Sequence, residues 1–448
     1  MGGSLTGASA RVAAGARPAA YVLAAAVPPL FLHAAYQPDV VLRLGGVSLT
    51  LTLADAGVAA VAAAAVATAV REGVGPLARA PWVWAALAAL ALVILASTGW
   101  GALRDPRYPF AESLVSALKF CEYLVLAPSV ALIVRRREDV LVVLAALVAW
   151  SAVAAAVGLL QFLGTIEQFR GRRPGERQPS WIGVHDFAAL AGAVIAIAFA
   201  GLLLAVRIPR VLAAAAGVAG AAGLVLAAAL DAVAAMLVTV AVFALLAARA
   251  RVLSYRRLIA AVAIAGTVTA GALALRAGDV DQFLRFLGIR PAAAETFDEV
   301  QTHAHRTVLL YIGGRIFLDH PVFGVGWQGS AQPFVFENYV PDARRRFPEQ
   351  PDRVFPAPSR RWGVQNAYLQ AAADMGVVGL AALLGVFLAA FLAAVSGIRR
   401  AGHLAPPLAL SWLLVAGAGL AALGLYAGAP VDALAWLGVG LAAAEPRT

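Results

Sequence analysis

Eleven arginines stand between Arg276 and Val364, in a chain that is otherwise built largely from Ala, Val and Leu. A guanidinium is planar, permanently charged and shaped to grip a phosphate through two parallel hydrogen bonds, so such a set asks for an anionic ligand. A second set, Arg170, Arg172, Arg173 and Arg177, flanks Pro174-Gly175. Solvation, or contact with anionic lipid headgroups, is the alternative use of each arginine, above all for the Arg344-Arg345-Arg346 run. His303-Ala304-His305-Arg306 adds imidazoles beside one of these arginines, and histidine is the natural proton acceptor near neutral pH. Against this, a histidine in an exposed loop can be purely structural. Glu112, Lys119 and Glu122, spaced seven and three apart, share one helix face within an apolar run. Ionisable groups at membrane depth mark function or a satisfied ion pair, and Lys119 with Glu122 fits the pair. Zinc-ligand spacings, phosphate-cradling glycine loops, dinucleotide fingerprints and serine elbows are missing from the sequence, so neither metal nor cofactor is implied. Cys121 is the lone cysteine, which excludes an intrachain disulfide.

The elements that must position these residues are membrane spans. The 448 residues are 62% hydrophobic and 13% charged, which is outside the range of soluble proteins. A span needs about 20 apolar residues. Twelve candidates meet or approach that length: 18–35, 50–70, 81–99, 110–134, 140–163, 183–206, 211–230, 232–248, 257–275, 365–396, 404–427 and 429–444. Residues 211–248 carry one charge, Asp231. As a single helix they would run for roughly 57 Å, nearly twice the bilayer core, so a hairpin turning at Asp231 is expected, with no need to bury its carboxylate. The residues before the first span lead into it without a clear signal-cleavage site.

The net charge of +10 is arginine charge, since Lys119 is the only lysine. Its split among membrane-flanking loops argues against nucleic acid. With the N-terminus inside, sixteen arginines fall on inner loops and three on the short outer loops. That bias puts both termini in the cytoplasm. Two outer segments, Gly164–Ile182 and Arg276–Val364, break the rule. Long loops cross regardless of charge, but their arginines still need a reason. The chain thus divides into spans one to nine (1–275), an extracytoplasmic loop domain (276–364) and spans ten to twelve (365–448). In the loop, Val308, Leu309, Ile312 and Ile316 recur at helical spacing, predicting a short amphipathic helix near the bilayer surface over Gln301–Leu318, ended by His320-Pro321. A turn at Phe323–Gly326 and irregular chain from Pro333 to Pro358 follow.

Several ordered landmarks give this pattern a family likeness. They are Leu49–Asp55 entering the second span, Gly158-Leu159-Leu160-Gln161-Phe162 closing the fifth, Arg306 followed by Leu310, and His320-Pro321-Val322-Phe323-Gly324-Val325-Gly326. Asn366-Ala367-Tyr368-Leu369 running on to Gly376-Val377-Val378-Gly379 completes them. Together with the long loop they resemble the bacterial O-antigen ligase and polymerase superfamily. The resemblance implies an all-α, polytopic, GT-C-like helical bundle of about twelve spans in the bacterial cytoplasmic membrane. It implies transfer of a glycan from a polyprenyl-diphosphate carrier to a hydroxyl on a glycan, lipid or protein, driven by the diphosphate leaving group. Arg170, Arg173, Arg177 and Arg306 would then bind the diphosphate, while His305, Gln365 and Asn366 would serve the acceptor. Ligases carry a histidine where this chain has Gln365, and a Ser-Arg pair where it has Asp231-Ala232. Glutamine orients a hydroxyl but takes no proton, so His305 or a carboxylate would substitute as base, and the expectation tilts towards a polymerase or a divergent transferase. A transporter of lipid-linked glycan, or a non-catalytic assembly subunit, are the other readings of the same residues.

Overall fold

The computed structural model describes residues 15–44, 47–167, 172–204, 206–278, 289, 302–398, 404–426 and 428–444. Ten of its helical segments are long and apolar enough to cross a membrane. They are α2 (Leu53–Glu72), α3 (Pro81–Arg104), the pair α4 (Phe110–Leu124) and α5 (Leu126–Ile133), α6 (Arg137–Phe162), α7 (Val184–Leu203), α8 (Arg210–Ala227), α9 (Leu230–Arg249), α10 (Tyr255–Leu275), α14 (Ala367–Ile398) and α15 (Ala405–Ala422). Two shorter apolar helices, α1 (Pro18–Leu30) and α16 (Pro430–Ala443), fill the first and twelfth expected places. At 1.5 Å per residue each reaches only about 20 Å, short of the hydrocarbon core. Every residue of α16 is buried, so it is an internal strut surrounded by protein. The α4–α5 break at Val125 follows from Pro128, which has no N–H to offer the Leu124 carbonyl. The expected hairpin is present: Ala228, in a left-handed conformation, ends α8, and α9 starts at Leu230.

Two local expectations need correction. Residues entering the second span form an antiparallel hairpin, β1 (Asp39–Leu44) with β2 (Val47–Thr52), pairing Asp39 with Thr52 and Leu44 with Val47. Its Val/Leu/Thr-rich strands flank Gly45-Gly46, a sequence that favours such a turn. Lys119 bonds Asp55 at 3.0 Å rather than pairing with Glu122. Asp55 also caps the start of α2 through Thr52 and accepts from the Tyr123 hydroxyl, so this ion pair fastens α2 to α4.

The long loop builds a second, smaller core. α11 (Thr302–Asp319) buries Val308, Leu309, Ile312 and Ile316, the face read from the sequence. That face meets Val325, Phe336, Val354, Phe355 and Val364, so the helix packs on the loop's own side chains and on α14. The segment expected to be irregular contains two short helices, α12 (Pro333–Phe336) and α13 (Val340–Arg346).

The landmark turn and the broken tenth span explain each other. Gly376 interrupts α14 at φ 66°, ψ −162°, freeing backbone groups that an apolar surrounding would penalise. The turn supplies their partners: Val325 and Gly326 donate to the carbonyls of Ala373 and Asp374, and Val377 donates to Pro321. A Cβ on Gly376 would lie 2.1 Å from the Val322 oxygen, and one on Gly324 would lie 2.3 Å from the Asp374 carbonyl carbon. Arg104 locks the turn from outside, donating to Gly324 O at 3.0 Å and to the His320 ring. Inside it, the fully buried Asp374 carboxylate accepts from Gln328 N, Ser330 N and Gln370 Nε2.

Candidate functional site

Three first turns converge where the loop meets the bundle. α7 begins with Val184-His185, α9 with Leu230-Asp231, and α11 brings Arg306 over both. Arg306 Nη2 lies 2.9 Å from His185 Nε2, and His185 Nδ1 lies 3.3 Å from Asp231 Oδ2. A guanidinium only donates, so His185 Nε2 must accept. The ring's proton therefore sits on Nδ1 and points at the Asp231 carboxylate. The relay runs from cation to neutral imidazole to carboxylate, its histidine and aspartate side chains 16% and 17% exposed.

The charge in this corner is not closed. Arg306 Nε is buried and has no hydrogen-bond partner among the described residues. Burial pushes the Arg306 pKa down; Asp231 draws it up, and the neighbouring Arg276 charge pushes it down again, leaving it lowered. Arg306 thus shares the Asp231 carboxylate with His185 and keeps one buried N–H without an acceptor among the described residues. An incoming anion would supply that acceptor.

The other candidate residues are placed differently. Arg170 lies outside the described residues. Arg173 is exposed and Arg177 half-buried, on a segment tied across the ends of α6 and α8. Gly175 N donates to Phe162 O at 2.9 Å, Gln178 N to Leu226 O at 2.8 Å, and Gln178 Nε2 to Arg173 O at 2.7 Å. That tether holds the arginine segment beside the α8–α9 hairpin. His305 turns the other way. Its Nδ1 donates to Val354 O at 3.0 Å and its ring stands edge-on to Trp362, 4.0 Å between centroids. Burial lowers its pKa, the Val354 bond opposes this, and Arg306 and Arg360 lower it further. Asn366 caps α14: its Oδ1 accepts from Leu369 N and its Nδ2 donates to Ala421 O, both at 2.9 Å. Gln365 is half-buried, and its side chain makes no hydrogen bond among the described residues.

His185 was missed in the sequence. It carries the signal that marks Lys119, an ionisable side chain at the edge of an apolar run. Its partners lie 46 and 121 residues away, beyond the reach of any local pattern.

These features define a polytopic helical membrane protein with a polar, cation-rich corner at one end of its bundle. Residues 215–384 match the model of the O-Antigen ligase family, and the match supports membership of the O-antigen ligase and polymerase superfamily. The matched segment contains Asp231, Arg306, Gln365 and Asn366; His185 and the Arg173–Arg177 segment precede it. No curated protein matches the chain.

Proposed function

We propose that the protein transfers a glycan from a polyprenyl-diphosphate carrier to a hydroxyl acceptor at the outer face of the cytoplasmic membrane. The family match supports the coarser statement, a membrane protein with O-antigen ligase or polymerase-type glycan processing. The observation carrying the finer one is the Arg306 guanidinium, buried at Nε without a protein acceptor among the described residues and crowded by Arg276. In this reading Arg306 holds the diphosphate and neutralises the charge that grows as it leaves, the largest lever available to a site of this kind. Arg173 and Arg177 extend the cationic rim towards the donor's phosphates, and Arg170 is assigned to the same ligand from the sequence alone. Gln365 orients the acceptor hydroxyl, Asn366 fixes the helix start beneath it, and an imidazole takes the proton, His305 being the candidate that the sequence offers. An apolar cavity of about 600 Å³ between α6, α8 and α10, lined by Ala155, Leu159, Ala222, Val225, Leu226 and Thr267, suits part of the polyprenyl tail. It reaches Leu226, the residue that anchors the arginine segment.

The test is reconstitution of the purified protein in liposomes with a polyprenyl-diphosphate oligosaccharide and a hydroxyl acceptor. The expected result is a covalent product with release of polyprenyl diphosphate. Net movement of intact donor across the bilayer would point instead to a transporter. Saturable binding alone would mean an assembly subunit.

A further inference from the structure

We propose that His185, oriented by Asp231, accepts the proton of the acceptor hydroxyl, and that donor binding to Arg306 is what frees its Nε2 to do so. The proposal rests on the transferase reading above and assigns the base within the same site. Three observations carry it. The basic nitrogen, His185 Nε2, points directly at the guanidinium assigned to the diphosphate, 2.9 Å away, so it lies beside the bond to be broken. The opposite ring nitrogen faces a carboxylate, Asp231, which fixes the tautomer and would stabilise the imidazolium once formed. The rival imidazole lacks that support, because His305 Nδ1 meets only the Val354 carbonyl, with Arg306 and Arg360 both disfavouring a second positive charge. Gln365 has no lone pair basic enough to compete.

The step balances as follows. The acceptor oxygen bonds to the anomeric carbon as the bond from that carbon to the phosphate oxygen breaks. The bonding pair leaves on the polyprenyl diphosphate, where Arg306 meets the new charge. The hydroxyl proton passes to His185 Nε2, and the imidazolium later returns it to water or to the departing diphosphate. Arg306 occupies Nε2 before the donor arrives, so turning Arg306 onto the phosphates unmasks the base. The order of binding is then donor first, acceptor second. The charged and titratable groups facing His185 are Asp231 from α9, Arg306 from α11 with Arg276 behind it, Asp186 on α7 itself with Asp432 of α16 near it, and His33 against Gly183.

The experiment measures transfer by the full-length wild type, His185→Gln, Asp231→Asn and His305→Gln in liposomes from about pH 5.5 to 8.5, a range spanning the ordinary histidine pKa. Glycan-free polyprenyl diphosphate is the binding probe. Glutamine keeps an acceptor for Arg306 and a donor for Asp231 but takes no proton. His185→Gln should therefore lower kcat by about 10²–10⁴-fold and abolish the acid limb, with the probe's Kd within a few-fold of wild type. Asp231→Asn reads the same group without touching the imidazole. Loss of the carboxylate removes the charge that would stabilise the imidazolium, so the acid limb should move to lower pH. The proposal is overturned if His185→Gln keeps the wild-type limb, if its activity falls only in step with probe binding, or if the limb disappears in His305→Gln instead. Should His185→Gln fail to fold, an unmoved limb in Asp231→Asn overturns it. Absence of any product from the wild type overturns the transferase reading and this assignment with it; product from wild type and His185→Gln alike removes only His185.

Discussion

Two corners of the molecule each set an ionised cation against an aspartate near a helix start, and they are finished differently. At the α2–α4 corner both members of the Lys119–Asp55 pair are well supplied with partners. Asp55 accepts from Thr52 N at 2.6 Å, Thr52 Oγ1 at 3.0 Å, Lys119 Nζ at 3.0 Å and Tyr123 OH at 3.1 Å, while Lys119 also donates to Thr50 O at 2.6 Å. At the α7–α9–α11 corner the cation is left with a buried, unmatched N–H and a second arginine beside it. A closed set of partners locks helices together, whereas the open one leaves a donor for the anionic ligand proposed above. Charge at membrane depth is therefore not diagnostic by itself; how fully it is matched separates scaffold from site.

The sharpest way to break this comparison is to exchange the consequences. Lys119→Met strands a buried carboxylate and should destabilise the protein by about 3–5 kcal/mol, read as loss of thermal stability in detergent. Adding Asp55→Asn should recover part of that loss. Transfer by whatever protein remains folded should be near wild type, and a folded but inactive Lys119→Met would move the site to the wrong corner. Arg306→Ala should do the reverse, cutting transfer by about 10²–10³-fold while thermal stability holds or rises. Gly376→Ala tests the broken α14 apart from both corners: a left-handed φ and a clash with Val322 O should cost at least about 1–3 kcal/mol, seen in the melting curve. Gln365→Ala should raise the acceptor KM by a few-fold, the worth of about one hydrogen bond near 1 kcal/mol, with kcat little changed.

The smallest effect concerns pH. His305 has its folded pKa below the ordinary histidine value of 6.5. The unfolded chain then binds the proton first as pH drops, so His305 lowers stability progressively from about pH 6.5 down to its folded pKa, and no further below it. His305→Gln should flatten that part of a melting-temperature profile.

How much of this the sequence reveals depends on the range of the interaction. Spans are local, since about twenty apolar residues declare themselves: ten of the twelve expected segments are helices long enough to cross, and the first and last are shorter apolar helices. The α8–α9 hairpin follows from length alone. The β1–β2 hairpin is equally legible in its strands around Gly45-Gly46, most of which lie before the expected second span. Asn366 as a helix cap was legible too, since asparagine favours that position. Non-local pairs were not. Lys119 bonds a residue in α2 rather than the neighbour one helical turn away, and the His320–Gly326 turn has meaning only beside the break at Gly376. The site follows the same rule: Arg306 was readable by its charge, whereas His185 became a candidate only when folding set it between Arg306 and Asp231.

The most direct measurement is binding of glycan-free polyprenyl diphosphate to purified wild type and to Arg306→Ala in the same detergent. Saturable binding by the wild type, weakened ten-fold or more in a variant that melts normally, is the predicted result. Equal affinity in the two proteins would contradict the account, because the open corner would then have no part in holding the donor.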